Sequence, residues 1–455
     1  MKGPLAAVFS AAFLVSVVGT GTAVAHDETG GSYSLPGQDS KVEQYQDVRA
    51  ANASSKSNAP RSFAPCVRGK SAGLYPCDGV DMMSNVPLSD LGLSFGNDIW
   101  GWTDSATGRE YAIMGGIEGT AFVDISDPKR PKVLGLLPTQ TSTPEDEHDD
   151  FWRDIKVYED QAYIVSENTG HGMQVFDLTQ LRDVKTRTVF TATALYEEFG
   201  NAHNININED TGFGYVIGTS TCAGGLHMVD LSDPNEPQFA GCFQEHGYIH
   251  DTQCVVYTGP DAEHRGREIC FSSNAELVFN EKGEFTDIEN ALSIVDVTDK
   301  DEPVALSRTF YDNDGYSHQG WLTPDQGTFL HGDELDELFG EVDETTTRVW
   351  DVEDLDAPFV SGVYGNGTAA IDHNIYTKGS RAYASNYTSG LRILDTSQAG
   401  GGQLSEVGFF DLYPENDDAS FDGGTWSNYP YFKKVVAVSS IDRGLFILKP
   451  KGNVG

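Results

Sequence analysis

One short pattern returns along the chain and constrains its fold more than any other feature. It consists of two or three β-favouring residues, an aspartate, an aliphatic residue and then turn formers, as in FVDISDPKRP, MVDLSDPNEP and IVDVTDKDEP. The repeated aspartates are separated by 53, 53, 66, 55 and 44 residues, and they are Asp124, Asp177, Asp230, Asp296, Asp351 and Asp395. A degenerate seventh copy, GLFILKP, follows near the end of the sequence. Repeats of this length with several short strands per unit are typical of propeller blades.

Each unit divides into four β-rich runs, most clearly HNINI, GFGYVIG, GLHMVDL and PQFAGCF in the third. Turn signals such as Asp233-Pro234 separate the runs. A single four-stranded sheet leaves apolar surface uncovered, whereas blades packed around an axis cover one another and close into a ring. The sequence therefore predicts an all-β fold, a seven-bladed β-propeller. The last unit shows only three strands, so we expect residues 88–95 near the N-terminus to supply its fourth strand and close the ring.

The N-terminal region has its own composition. Lys2, an apolar run over residues 5–18 and the small residues Ala23-Val24-Ala25 are typical of a secretory signal peptide. A retained membrane anchor is the alternative, but spanning a bilayer takes about 20 apolar residues. We predict a signal peptide over 1–25, a flexible leader with a disulfide loop over 26–82 and the propeller over 83–455. The mature protein is then secreted, extracellular or periplasmic, with cell-surface association as an option and no transmembrane segment.

The chain contains six cysteines, an even number for an oxidising destination. Three sequential disulfides are the simplest pairing, namely Cys66–Cys77, Cys222–Cys242 and Cys254–Cys270. Zinc binding by these thiols is disfavoured because no Cys-x-x-Cys spacing occurs.

Acidic residues outnumber basic ones 69 to 30, which gives a formal net charge of −39. Such a surface repels nucleic acid and anionic lipid, so neither is an expected partner. An extracellular protein, a glycan or a small ligand fits better. The chain has no G-x-S-x-G elbow, no phosphate-binding glycine loop and no H-E-x-x-H motif.

Histidines mark the starts of the predicted innermost strands in four consecutive blades, and they are His203, His250, His318 and His373. The whole chain has only 11 histidines, so chance is a poor explanation for this register. Innermost strands line the channel and begin on one face of the disc, which predicts that the imidazoles meet at one channel mouth. The repeated aspartate ends the third strand and falls on the opposite face, where we expect it to hold the turn that follows.

Polar residues near the same channel mouth add candidates, namely Arg153, Asp154, Asp251, Glu276, His331 and Glu334. Neutral imidazoles with carboxylates suit zinc, iron, copper or manganese, so we predict a divalent transition metal on the four histidines. In an enzyme, Glu276 or Glu334 would be the general base. The alternative is a packing role in which each imidazole hydrogen-bonds to loop backbone and locks neighbouring blades.

The acidic loop HGDELDELFGEVDE, residues 331–344, is a second candidate metal site. It lacks the Asp-x-Asp-x-Asp-Gly ligand order of a calcium loop. Calcium binding is therefore one interpretation, and a solvated acidic loop is the simpler one.

The repeats resemble those of secreted LVIVD-repeat proteins, in particular the choice-of-anchor B group. The resemblance covers residues 91–450, and its most specific stretches are HDTQCVVYTGPD, EICFSSNAE, SHQGWLTPDQ and DHNIYTKGSRAYASNYTSGLRILD. It implies an extracellular or surface-displayed propeller and assigns no site. Because the sequence ends in LKPKGNVG without a hydrophobic tail, we expect secretion or non-covalent association. A binding or scaffold module is the leading hypothesis, and a metal-dependent extracellular hydrolase, lyase or oxidase is the alternative.

Overall fold

A computed structural model describes residues 38–54, 60–142, 151–280 and 285–455. Seven antiparallel sheets follow one another around an axis, which confirms the predicted all-β, seven-bladed β-propeller. The predicted signal peptide over 1–25 lies outside the described residues. Among the described residues, no helix has the length and apolar character needed to cross a membrane.

Five elements precede the first blade. They are α1 (Gln38–Ser54), β1 (Lys70–Ser71), β2 (Tyr75–Asp78), β3 (Val80–Val86) and α2 (Leu88–Leu91).

The first three blades each contain four consecutive antiparallel strands, apart from one short addition. Blade one contains β4 (Gly96–Thr103), β5 (Glu110–Gly116), β6 (Gly119–Asp124) and β7 (Lys132–Pro138). Blade two contains β8 (Arg153–Tyr158), β9 (Gln161–Ser166), β10 (Met173–Asp177) and β12 (Ala194–Tyr196). Between its last two strands, β11 (Thr188–Val189) pairs in parallel with β7 of blade one. Blade three contains β13 (Asn204–Asn208), β14 (Phe213–Ile217), β15 (Leu226–Asp230) and β16 (Gln238–Phe243).

The remaining blades repeat the same order. Blade four contains β17 (Ile249–Val256), β18 (Glu268–Phe279), β19 (Phe285–Asp296) and β20 (Val304–Phe310). Blade five contains β21 (Ser317–Leu322), β22 (Thr328–Asp333), α3 (Asp336–Phe339), β23 (Thr346–Asp351) and β24 (Phe359–Gly365). Blade six contains β25 (Ile375–Lys378), β26 (Arg381–Asn386), β27 (Gly390–Asp395) and β28 (Ser405–Phe410). Blade seven contains β29 (Thr425–Tyr429), β30 (Val436–Ser440) and β31 (Gly444–Pro450). Short 3₁₀ helices lie at Leu178–Asp183, Cys222–Gly224, Ala399–Gly401 and Gly452–Val454.

Neighbouring blades cover one another's apolar faces. Phe122 of blade one packs on Phe176 of blade two, with ring centroids 4.7 Å apart, and both side chains are buried. Ile113 and Ile164 belong to the same buried cluster. Because each sheet is apolar on both faces, no blade can be stable alone, and ring closure is part of folding.

The repeated aspartate has the structural role that the sequence predicts. In all six copies a side-chain oxygen accepts a hydrogen bond from the backbone N–H two residues later, at 2.8–3.0 Å. This is the geometry of an Asx turn, which starts the connection to the outermost strand. Five of these strands also carry an irregularity in pairing just before the aspartate.

The ring closes through the N-terminal segment, but the predicted closing strand was wrong. The fourth strand of blade seven is β3, which pairs antiparallel with β31, and not residues 88–95. Pro87 follows β3, and Leu88 and Leu91 are buried three residues apart on the helix α2. That spacing suits one face of a helix rather than alternating strand faces.

The predicted flexible leader was wrong over the helix α1, and the propeller begins at Val80 rather than at residue 83. Tyr45 of α1 is fully buried, and its ring lies 5.0 Å from Phe95 and 5.8 Å from Trp426 between centroids. The helix is therefore packed against the propeller. Residues 70–78 extend blade six, because β2 pairs with β28.

All three predicted disulfides are present, at Cys66–Cys77, Cys222–Cys242 and Cys254–Cys270. Cys254 and Cys270 face each other on adjacent strands of blade four.

Thiol titration of the denatured, unreduced protein is therefore expected to find no free cysteine. Reduction should lower the free energy of unfolding by about 2–5 kcal/mol per lost bond, the usual contribution of a native disulfide. Urea denaturation with and without reductant measures this difference. Six reactive thiols in the unreduced protein would contradict the pairing.

Candidate metal centre

The four histidines of the sequence pattern lie side by side around the channel. Their successive ring centroids, from His203 through His250 and His318 to His373, are 4.2, 4.0 and 4.3 Å apart. All four line one small cavity and are buried. Each lies within two residues of the first residue of an innermost strand, because the repeat puts the same register at the same channel end in every blade.

Three of the imidazoles are held through Nδ1. His250 Nδ1 donates to the backbone oxygen of His318 at 2.8 Å, and His373 Nδ1 donates to that of Trp426 at 2.5 Å. His203 Nδ1 lies 2.5 Å from Glu167 Oε1. The first two bonds join neighbouring blades, as the packing interpretation expects. They also fix the tautomer that carries its lone pair on Nε2, the arrangement found in metal-ligating histidines.

Glu334 completes the cluster from the turn after β22. Its Oε1 lies 3.6 Å from His373 Nε2, and its Oε2 lies 3.8 Å from His318 Nε2. Each of the three side chains offers an atom within 4.8 Å of the others, so the group could hold a metal ion. One carboxylate and two imidazoles form a donor set that suits zinc and other divalent transition metals.

The electrostatics keep the imidazoles neutral. Burial lowers the pKa of His203 and of His373 to about 4, and the Lys41 ammonium contributes to both shifts. Burial and the adjacent imidazoles also lower the pKa of His250 and of His318. Burial alone would raise the pKa of Glu334, but Lys41 and His373 lower it to about 2. A charged carboxylate thus faces neutral imidazoles, which is the protonation state that a metal requires.

A cation already lies at this point. Lys41 of helix α1 places its Nζ 2.7 Å and 2.8 Å from the two oxygens of Glu334, and both side chains are buried. Tyr387 donates to Glu334 Oε1 at 2.8 Å, and its hydroxyl lies 2.9 Å from that of Tyr45. Helix α1 therefore covers the channel mouth and leaves a cavity of about 20 Å³ among the imidazoles, which holds about one water.

The other candidate residues divide by depth in the channel. Arg153 lines the cavity, and its Nη1 lies 3.0 Å from His171 Nε2. Asp154 lies farther along the channel and binds Lys156 at 2.6 Å. Burial raises the pKa of Asp251 to about 7, and the nearby Lys156 ammonium acts in the opposite direction.

Glu276 and His331 do not line the cavity among the described residues. Glu276, one of the two residues predicted as a general base, instead uses its Oε2 to accept a hydrogen bond from the backbone N–H of Tyr248 at 2.5 Å. His331 lies behind the cluster, where its Nε2 is 3.1 Å from Ser317 Oγ.

The acidic loop is buried over residues 331–337, contrary to the simpler expectation from sequence, whereas residues 339–341 and 343–344 are exposed as that expectation predicts. Asp333, Glu334 and Asp336 are 0–1% exposed. Asp333 accepts hydrogen bonds from Tyr311 and from the backbone N–H groups of Gly315 and Tyr316. The loop thus folds into the propeller and supplies Glu334 to the histidines.

Sequence reasoning missed Lys41 and Tyr45. Lys41, Tyr45 and Val48 are all buried, and their three- and four-residue spacing lies on one face of α1. This spacing is a weak sequence signal for the helix. The residues of the helix do not by themselves indicate that it covers a channel mouth.

The opposite end of the channel is more open. A cavity of about 400 Å³ lies at the far ends of the innermost strands, and its lining includes Trp100, Trp321, Tyr429, Tyr431 and Lys156. This volume is in the range of small-molecule sites. The two mouths therefore differ in size and chemistry.

Comparisons with known proteins concern the fold alone. No protein-family model and no curated protein matches the chain. Similar solved structures include that of U3-55K, with 8% identity and a TM-score of 0.49 over 84% of this chain and 99% of that one. A functionally unknown protein from Desulfotomaculum acetoxidans DSM 771 has 12% identity and a TM-score of 0.47, covering 79% and 97% of the two chains. The computationally designed Ika8 protein has 9% identity and a TM-score of 0.46, covering 86% and 97%.

Proposed function

We propose that this protein is an exported or surface-associated binding module, a rigid propeller whose histidine-lined channel mouth binds one divalent transition-metal ion. One observation carries the proposal: neutral imidazoles and the Glu334 carboxylate surround a point where a cation, the Lys41 ammonium, is already bound. The three disulfides are compatible with an extracellular or periplasmic location. The signal peptide over 1–25 and the kinship with LVIVD-repeat, choice-of-anchor B proteins belong to the same proposal.

The proposed ligands are His318, His373 and Glu334, with His250 and His203 next to them in the arc. Metal binding at this point requires Lys41 to withdraw, because two cations cannot share one carboxylate in a buried site without strong repulsion. A metal held by three protein ligands keeps a coordination position for a donor atom of a partner or small ligand. Helix α1 would then act as an internal competitor for the site.

The cavity size favours binding over catalysis. With α1 in place, about 20 Å³ is open among the imidazoles, which accommodates an ion or a water but no organic substrate. A metal-dependent hydrolase, lyase or oxidase at this mouth would need the helix to leave entirely. Such an enzyme is the alternative to the binding module.

Zinc titration of chelator-treated protein, followed by elemental analysis, is expected to give one bound ion per chain. The variant His318→Ala should weaken binding by at least about tenfold, since even groups that only support a ligand contribute that much. This substitution breaks no hydrogen bond at Nδ1, because His318 Nδ1 has no hydrogen-bond partner among the described residues. The backbone oxygen that accepts from His250 is also retained.

The matched control is His246→Ala. His246 lies outside the cluster, where its Nδ1 is 2.6 Å from Ser293 Oγ, so its loss should leave zinc affinity unchanged. Wild-type protein that stays metal-free in excess zinc, or equal affinities in the two variants, would contradict the proposal. In either case the histidines would serve to lock the blades and seat helix α1.

A further inference from the structure

A second group of carboxylates lies on the segments that supply the histidine cluster. Asp336 and Glu337 belong to α3 in the acidic loop, and Asp372 directly precedes His373. Each offers an oxygen within 4.8 Å of the other two. The three side chains are 0%, 8% and 4% exposed, respectively.

Each carboxylate keeps one oxygen that accepts no hydrogen bond from an N–H or hydroxyl group among the described residues, although the carboxyl groups of Asp336 and Glu337 contact each other. These atoms are Oδ1 of Asp336, Oε2 of Glu337 and Oδ1 of Asp372, and all three are buried. The second oxygens of the first two are used, because Arg348 donates to Asp336 Oδ2 at 2.9 Å and the backbone N–H of Thr346 donates to Glu337 Oε1 at 3.0 Å. Buried polar atoms are almost always paired, so three unpaired acceptors at one place indicate a missing donor or cation.

The local charge balance points in the same direction. Arg348 is the one cation that contacts the three carboxylates in the described hydrogen bonds, and it binds only Asp336. Gly332 allows the third carboxylate to enter, since a Cβ there would lie 2.1 Å from Asp372 Oδ2. The backbone is thus shaped to admit a carboxylate beside two others, an arrangement that is unfavourable for ionised carboxylates unless a cation lies between them.

We propose that Asp336, Glu337 and Asp372 form a calcium site. All the donor atoms are oxygens. Zinc and copper prefer nitrogen and sulfur ligands, so this donor set suits Ca²⁺ or Mg²⁺ better. Mg²⁺ usually keeps several waters, whereas these side chains are almost fully buried, and this favours Ca²⁺. This site shares no ligand with the transition metal proposed at the histidines.

The ion would have a structural role for the channel mouth. Asp336 lies two residues after Glu334, and Asp372 lies one residue before His373, so a bound ion joins the two segments that carry these groups. Glu334 comes from blade five and His373 from the entry to blade six. Calcium would therefore fix the spacing of the histidine cluster across a blade boundary.

The test is thermal unfolding of the full-length protein in chelator and then in about 10 mM Ca²⁺, which is about ten times the weakest dissociation constant typical of extracellular modules. Calcium is expected to raise the Tm of the wild type by about 2–4 °C or more. Asp372→Asn should show no response to calcium, because it removes one of the three carboxylate ligands. Calorimetric titration should detect one calcium site in the wild type and none in this variant.

Glu341→Gln is the control, because Glu341 is an exposed carboxylate of the same loop; it should keep the full calcium response. Should Asp372→Asn fail to fold, Glu337→Gln is the second variant and should lose the response in the same way. No calcium binding by the wild type, or a full response in both variants, would overturn the proposal. The cluster would then be held by shared protons. Zinc binding at the histidines is measured separately with His318→Ala, so the two proposals can fail independently.

Discussion

Replacing Lys41 with methionine is expected to lower the free energy of unfolding by about 3–5 kcal/mol, the usual cost of leaving one partner of a buried ion pair behind. The Glu334 carboxylate is 2% exposed and loses the ammonium that lies 2.7 Å away. Methionine keeps most of the side-chain length and its packing, so the loss reports the charge. Urea denaturation of the two proteins in chelator measures the difference.

Zinc is expected to reverse much of this loss in Lys41→Met and to bind that variant more tightly than the wild type. The reason is that the metal no longer has to displace a bound cation. The control is Arg61→Met, which removes an ion pair of the same 2.7 Å length with Asp90 at an exposed position. Exposed pairs contribute about 0–1 kcal/mol, so this control should be nearly neutral and insensitive to zinc. Equal stability of Lys41→Met and wild type would mean that helix α1 does not hold the charge of Glu334.

Met82→Ala in the closing strand is expected to cost about 2–5 kcal/mol, the range for truncating a buried methionine to alanine. Met82 is fully buried between blades six and seven and pairs with Leu448 of β31. Because β3 pairs with β31 and so joins an N-terminal strand to a C-terminal one, lost packing at this strand destabilises the closed ring. Chemical denaturation followed by tryptophan fluorescence is the measurement.

The matched control for the closing strand is Val67→Ala in the same N-terminal segment. Val67 is 58% exposed, and its truncation should change stability by less than about 0.5 kcal/mol. If Met82→Ala were as mild as the control, β3 would not be essential to ring closure.

Local sequence patterns determined the architecture of this protein. Strand runs, turn residues and the repeated aspartate act over a few residues, so their period revealed seven blades and the Asx turn at each aspartate. The register of the histidines followed from the same period, since equal positions in successive blades meet at the same channel end. The disulfides were inferred because each closes a short sequence interval, of 11, 20 or 16 residues.

Only the tertiary structure decided what reaches the histidines. Lys41 meets Glu334 across 293 residues, and Tyr45 meets Tyr387 across 342. The grouping of Asp372 with Asp336 likewise depends on how blade five meets blade six. Periodicity describes neighbours within the repeat, whereas these contacts join the ring to a segment outside the repeat or cross a blade boundary. The histidines at the channel mouth were therefore visible in the sequence, but the lysine that lies against their carboxylate was not.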